Sequence, residues 1–189
     1  MIIGLTGVAQ VGKDTAAAAL IERGWVRVAF ADPLREMLYA LNPKVTDEGC
    51  FVDYVKTMVD EVGWEKAKKH PEVRRLLQRL GTEAGRGVLG EDCWVDLAHR
   101  KINKLRGDAA ARGDNQPSVV LTDVRFANEA SMIRSLGGYV VRIIRPGISA
   151  INGHVSESGV PDKLVDHTLE NGGSIADLQE GIVRFVSSL

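Results

Sequence analysis

Residues 2–6 form a short apolar run that ends at a glycine-rich turn. A run of this length bounded by a turn reads as a buried strand. Residues 14–21 are alanine-rich and predict a helix, which Gly24 stops. The segment 25–30 (WVRVAF) predicts a second strand. Asp32-Pro33 then opens a helix, with Asp32 expected as N-cap and Pro33 at the first helical position. Leu34, Met37, Leu38 and Leu41 follow at helical spacing. Residues 42–70 carry no clear period, and short helices and loops, or an insertion, are expected there. Val73, Leu76, Leu77 and Leu80 mark one face of a further helix whose other face carries Arg74, Arg75 and Arg79.

The stretch 81–90 reads as a loop. A helix is expected from about 92 to 105, with Trp94, Leu97, Ala98, Ile102 and Leu105 inward. Its acidic start and basic end suit the helix dipole. Residues 107–118 are polar and read as a surface loop. A third strand is expected at 119–122, ending at Asp123, then a helix at 126–136 closed by Gly137-Gly138. Residues 139–144 predict a fourth strand, 146–162 a Gly-, Ser- and Pro-rich loop of lid character, 168–169 a short last strand, and 174–186 a closing helix. Strands alternating with helices predict an α/β fold, with a parallel sheet and helices on both faces.

Composition narrows the classes. At 189 residues the chain is one domain, or one domain with a small insertion. Apolar residues at 44% and charged residues at 26% exclude disorder, collagen and coiled coil as overall descriptions. A formal net charge of −1 provides no global positive field for duplex nucleic acid. The two cysteines, Cys50 and Cys93, form no disulfide framework and no metal-ligand run, which suits a reducing cytoplasm. The start MIIGLTG has no basic n-region, so no signal peptide is expected. No run of about 18 apolar residues is present to span a membrane.

The strongest chemical signal is Gly7-Val-Ala-Gln10-Val11-Gly12-Lys13-Asp14-Thr15. This is G-x-x-x-x-G-K between a predicted strand and a predicted helix, the context that makes a phosphate-binding loop credible. Glycines let successive N–H groups converge on one anion, the helix adds its positive end, and Lys13 supplies a charge for the β- and γ-phosphates. Asp14 stands where the common motif has Ser or Thr. It is either a hard oxygen ligand for Mg²⁺ or an acid stabilised by the helix dipole, and Thr15 then takes a phosphate contact.

Asp123, at the end of a buried strand, lies at the edge where doubly wound sheets bind ligands and can orient a metal or its waters. Arg125, Asn128 and Glu129 follow it. Asp32 and Arg35 (FADPLR) sit at the exit of the second strand. Residues 66–86 hold seven Lys or Arg against two acids, a local net of +5 that suits a compact anion. Lys66, Lys68 and Lys69 read as a solvated face, whereas Arg86 shares a glycine-bounded loop with Glu83. Trp94 reads first as core and second as a platform for a base. His154, Ser156 and Glu157 are too close in sequence to form a catalytic triad, and the four histidines show no metal spacing.

The residues G-x-x-x-x-G-K-D-T, FADPLR, LLQRLGTEAGR, GEDCWV, DVRFANEA and H-x-S-E, in order along nearly the whole chain, resemble the deoxynucleoside monophosphate kinases of bacteriophages. LGTEAGR with DVRFANEA is the specific part, since GKDT occurs in other kinases. The resemblance implies a single P-loop domain over 1–189. It carries a helical acceptor-binding region at about 33–106 and a lid-like loop at about 146–165. It implies transfer of the γ-phosphoryl of ATP to a deoxynucleoside monophosphate for DNA precursor synthesis. Small-molecule nucleotides are the implied partners and a host cytoplasm the implied setting, with Mg²⁺ required; a homodimer is admissible. By position, Gly7 to Thr15 hold the ATP phosphates and Asp14 and Asp123 serve the metal. Asp32, Arg35, Arg75, Glu83, Arg86, Trp94, Arg125 and Glu129 line the acceptor side. Arg142 or Arg145 comes from the lid side, and Asn171 lies near adenine. Lys13, Asp32, Arg86 and Arg125 are the implied catalytic residues.

Two other readings compete. One is another small-molecule kinase on this fold, such as a dephospho-coenzyme A or phosphomevalonate kinase relative. The other is a P-loop ATPase or switch acting on a macromolecule, against which the small size and the basic acceptor-side cluster argue.

Overall fold

The computed structural model describes residues 1–47, 50–148 and 159–189. The chain divides into two compact units, one of Met1–Phe30 with Ala98–Leu189 and the other of Ala31–Leu97. His154, Ser156, Glu157 and most of the expected lid lie outside the described residues.

The first unit is built on a five-stranded sheet in the order β2-β5-β1-β6-β7. Its strands are β1 (Ile2–Thr6), β2 (Val26–Val28), β5 (Val119–Val124), β6 (Tyr139–Ile144) and β7 (His167–Glu170), and every pairing is parallel. Such a sheet is covered on both faces at its centre, so the central strands β1, β5 and β6 are mainly apolar, while the edge strands β2 and β7 carry exposed polar positions. β1 is buried at all five positions.

Alternation along β1 sorts the two faces. Ile3 and Leu5 join a core with Ala16, Ala17 and Leu20 of helix α1 (Lys13–Ile21) and Leu178 and Ile182 of helix α8 (Ile175–Ser187). Gly4 points the other way, toward helix α7 (Ala127–Ser135), where an added Cβ would come within 2.4 Å of Ile133. The chain leaves β1 for the β2 side, while β6 and β7 lie on its opposite flank. β1 is therefore the switch point, and its C-terminal edge is where a ligand crevice is expected.

The second unit contains helix α2 (Asp32–Leu41), strands β3 (Lys44–Asp47) and β4 (Cys50–Tyr54) in an antiparallel pair, and helices α3 (Val55–Val62), α4 (Trp64–Ala67) and α5 (Pro71–Arg79). Leu38, Val45, Val55 and Val73 form its small core. A π-helical stretch, Leu80–Leu89, continues from α5.

Several expectations are corrected. Within 42–70 the expected short helices are present as α3 and α4, but 44–47 and 50–54 form an antiparallel strand pair that was not expected. The stretch 81–90 is largely helical. Helix α6 (Cys93–Arg112) runs well past Leu105, through Gly107. Glycine there costs about 1 kcal/mol relative to alanine; the alanines of Ala109–Arg112 favour the helix, and the exposed Lys104–Asp108 pair at 2.7 Å adds little. β2 is limited to three residues. The N-cap of α2 is Ala31, and Asp32 begins the helix itself, still favoured by the dipole.

The π-helical stretch has a packing cause. Gly85 is buried against the Trp94 indole, so close that a Cβ would stand 2.2 Å from it. The indole N–H donates to Gly81 O at 2.8 Å. Wide π-type turns are rare and occur frequently at functional sites. Gly85→Ala is expected to lower stability by about 1–3 kcal/mol through overpacking. The check is a lower urea midpoint at unchanged m-value; an unshifted midpoint would contradict this packing.

Candidate nucleotide-binding site

β1 delivers the chain into the loop 7–12 at the C-terminal edge of the sheet. Three residues of that loop hold positive φ: Gly7 at 138°, Gln10 at 66° and Gly12 at 105°. At Gly7 a side chain is excluded by space as well, because a Cβ would meet the Ile143 carbonyl oxygen at 2.4 Å. Gln10 accepts the left-handed conformation without being glycine, a backbone strain that clusters at ligand sites. Gly12 is the N-cap of α1, and no side chain caps that helix start. Its first-turn N–H groups are suited to an anion. Lys13, half-buried, folds its ammonium back over the loop and donates to Gly7 O and Val8 O, each at 2.7 Å.

Two cavities of this unit share Lys13. One, of about 390 Å³, is lined by Gln10, Gly12, Asp14, Thr15, Arg145, Asn171, Gly173, Ile175 and Leu178 as well. The other, of about 490 Å³, also takes Gly7, Val8, Arg125, Arg142 and the segment 159–162. Arg142 donates to Val160 O and pairs with Asp162. The structure thus gathers Gly7, Gln10, Gly12, Lys13, Asp14, Thr15, Arg125, Arg142, Arg145 and Asn171 around one loop; Val11 is buried beneath it. Asp123 Oδ1 accepts from Phe30 N at 2.9 Å, tying the end of β5 to the exit of β2. Glu129 is buried, and its carboxylate accepts from Arg125 N at 2.6 Å and Phe126 N at 3.0 Å. In that geometry Glu129 caps the start of α7.

Asp32, Arg35, Arg75, Glu83, Arg86 and Trp94 belong to the second unit. Arg75 is paired with Glu72 by two bonds of 2.7 Å, and Arg79 with Glu83 at 3.0 Å. The Arg79–Glu83 pair is exposed and contributes little to stability, while in the Arg75–Glu72 pair the arginine is exposed and the carboxylate is half-buried. Arg35 lies 3.7 Å from Glu65. Arg86 is half-buried within the π-helical stretch. Burial pushes the neighbouring Cys93 thiol above its usual range, and the charge of Arg86 works against that rise. Trp94 is buried and used in packing, in line with the first of its two sequence readings.

The bond from the Asn171 side chain to Val11 O, at 2.9 Å, is absent from the sequence reading. So is the exposed Ile175 at the cavity wall. Asn171-Gly172-Gly173 before a capped helix is the only sequence signal that marks this corner, and it does not name its partner.

The family model for deoxynucleotide monophosphate kinase matches residues 51–182. A relative in Acanthamoeba polyphaga mimivirus is 32% identical over 201 positions, covering 100% of this chain and 97% of its own. The deoxynucleoside-5'-monophosphate kinase of Escherichia phage T5 is 32% identical over 105 positions, 52% of this chain and 38% of the phage protein. The deoxynucleotide monophosphate kinase of Escherichia phage RB69 is 28% identical over 115 positions, 60% and 44% respectively. The chain therefore matches less than half the length of those two phage proteins. The crystal structure of TT1252 from Thermus thermophilus shares the fold, with a TM-score of 0.52 at 21% identity over 100% of this chain and 97% of that one. With a parallel sheet, a phosphate-binding loop after its central strand and a family match over most of its length, the chain is a P-loop NTPase-fold protein that belongs to the deoxynucleotide monophosphate kinase family.

Proposed function

We propose that the protein transfers the γ-phosphoryl group of ATP to a deoxynucleoside monophosphate, giving the diphosphate. The observation that carries this reading is the loop 7–12, with its uncapped helix start and Lys13, in a chain of this family. Phosphoryl transfer is positioning plus charge neutralisation. The loop amides and Lys13 hold the donor phosphates, for which the ammonium exchanges its bonds to Gly7 O and Val8 O. Arg125, Arg142 and Arg145 add positive charge in the first unit. In the second unit, Arg86 binds the acceptor phosphate by charge-assisted bonds, with Arg35 and Asp32 beside the start of α2. The base accepted is left to the second unit, where the hairpin and α3 carry no motif that names one.

Magnesium fits the donor set. Asp14 is exposed in the first turn of α1 and lines the same cavity as Lys13 and Thr15. Among the described residues no cluster of three or more His, Cys, Asp or Glu makes a protein cage. Magnesium commonly keeps one or two carboxylates together with waters and phosphates. Asp14 and Asp123 would hold it, and it would supply neutralisation of the donor phosphates. Among the described residues no helix is long and apolar enough to cross a membrane.

An acceptor panel tests the reading. The four deoxynucleoside monophosphates are offered with ATP and Mg²⁺ beside dephospho-coenzyme A and phosphomevalonate. Turnover with at least one of the four is expected, and turnover with only the coenzyme A precursor would overturn the proposal.

Asp32 sharpens the distinction. A monophosphate attacks through an oxygen already largely ionised near neutrality, its second pKa being about 6. An alcohol must lose a proton, and a positioned carboxylate base contributes about 10²–10⁴-fold. In Asp32→Asn the profile of kcat/KM against pH should keep the limb set by the acceptor phosphate. An acidic limb in the carboxylate range that vanishes on substitution would make Asp32 a base and the acceptor an alcohol.

A further inference from the structure

Asn171 is the contact between the β7–α8 connection and the phosphate-binding loop. Its Nδ2 donates to Val11 O at 2.9 Å across 160 positions of sequence. The backbone of Asn171 is fixed in turn, its N–H donating to Ile144 O at 2.7 Å. Three residues on, Ser174 and Asp177 cap α8 reciprocally, with bonds of 2.7 Å and 3.2 Å. The carboxyl of Asp177 is held below its usual range by the Ser174 N–H. The anchor is therefore rigid before it reaches the loop.

The other side of the contact is equally constrained. Val11 is buried to 1% exposure, so its side chain is held in the core while Asn171 holds its carbonyl. In a planar trans peptide the C=O and N–H point in opposite directions. Holding Val11 O toward Asn171 therefore aims the Gly12 N–H away from it. Gly12 has no room for a side chain. With φ at 105°, an added Cβ would stand 2.7 Å from Asn171 Nδ2 and 2.8 Å from Leu178 Cδ2. Asn171 and Leu178 thus close over the residue directly before Lys13.

We infer that Asn171 is a positioning residue of the phosphate-binding loop: it sets the Val11–Gly12 peptide for the donor's phosphates and does not read the donor's base. This rests on the nucleotide kinase reading above. It gives Asn171 a different role from the one implied by a place near adenine, and it separates two roles of one cavity. A residue that reads the base matters only to ligands that carry one. A residue that sets the loop matters to any chain of phosphates.

The test is calorimetric binding of ATP and of inorganic tripolyphosphate to the full chain, unsubstituted and as Asn171→Ala and Asn171→Asp. Loss of one hydrogen bond should weaken both ligands by the same factor, about five- to tenfold for Asn171→Ala. Asn171→Asp, of equal size, turns a carboxylate oxygen toward Val11 O and should weaken both further. The KM for ATP should rise while the KM for the monophosphate stays. On the unsubstituted protein, the Asn171 side-chain amide resonances should shift alike with either ligand, a measurement that needs no variant to fold. Loss of ATP affinity with tripolyphosphate unaffected, resonance shifts with ATP alone, or no loss for either ligand would overturn the inference. An unsubstituted protein that binds neither ligand would overturn the kinase reading instead.

Discussion

Replacing Lys13 with alanine is expected to abolish phosphoryl transfer while the protein stays folded. The side chain leaves the core and lies over the loop, where its ammonium bonds Gly7 O and Val8 O. Its removal opens no apolar cavity, and both carbonyls lie on a loop that water reaches. Turnover should fall by at least about 10²–10³-fold, the scale for losing one preorganised charge-stabilising donor. The melting temperature should move by no more than about 2–4 °C, equivalent to roughly 1 kcal/mol at this size. Steady-state kinetics beside a melting curve check it. Near-normal turnover would remove the phosphate-binding role of the loop.

That loop was legible because its determinants are local. Glycine spacing, a strand before and a helix after are all readable within fifteen residues, and the fold class followed from the alternation of elements around it. What was not legible depends on contacts made across the chain. Residues 44–54 offer no alternating pattern, since Val45 is the one buried position of β3; pairing with β4 makes the strand. Leu80–Leu89 carries three glycines and reads as a loop, and only the Trp94 indole over Gly81 and Gly85 explains its helical path. Glu129 looked like a ligand because an acid follows Asp123 and Arg125 closely, yet the same spacing suits a helix cap. Asn171 sits 160 positions from its partner, beyond any local pattern.

Arg86→Lys is expected to raise the acceptor KM and lower kcat while ATP affinity stays nearly constant. Lysine keeps the charge and loses the planar fork that pairs two phosphate oxygens at once. Each bond from a charged donor contributes about 1.5–3 kcal/mol, so kcat/KM for the monophosphate should fall by one to two orders of magnitude or more. The position also has structural leverage. Arg86 lies one residue beyond Gly85, where the π-helical stretch is pressed against Trp94. A shorter, more flexible lysine on that support keeps the charge without restoring the direction of the fork. Isothermal titration with ATP and initial rates against monophosphate concentration separate the two effects. Weakened ATP binding with an unchanged acceptor KM would move Arg86 to the donor side.

On the reading proposed above, the phosphate-binding loop serves a kinase whose acceptor is a deoxynucleoside monophosphate. The most direct test of that reading follows the label from [γ-³²P]ATP in the presence and absence of each monophosphate with Mg²⁺. Label should appear in the β-phosphate of a deoxynucleoside diphosphate, and ATP consumption should require the monophosphate. Release of labelled inorganic phosphate at the same rate whether or not a monophosphate is present would contradict it.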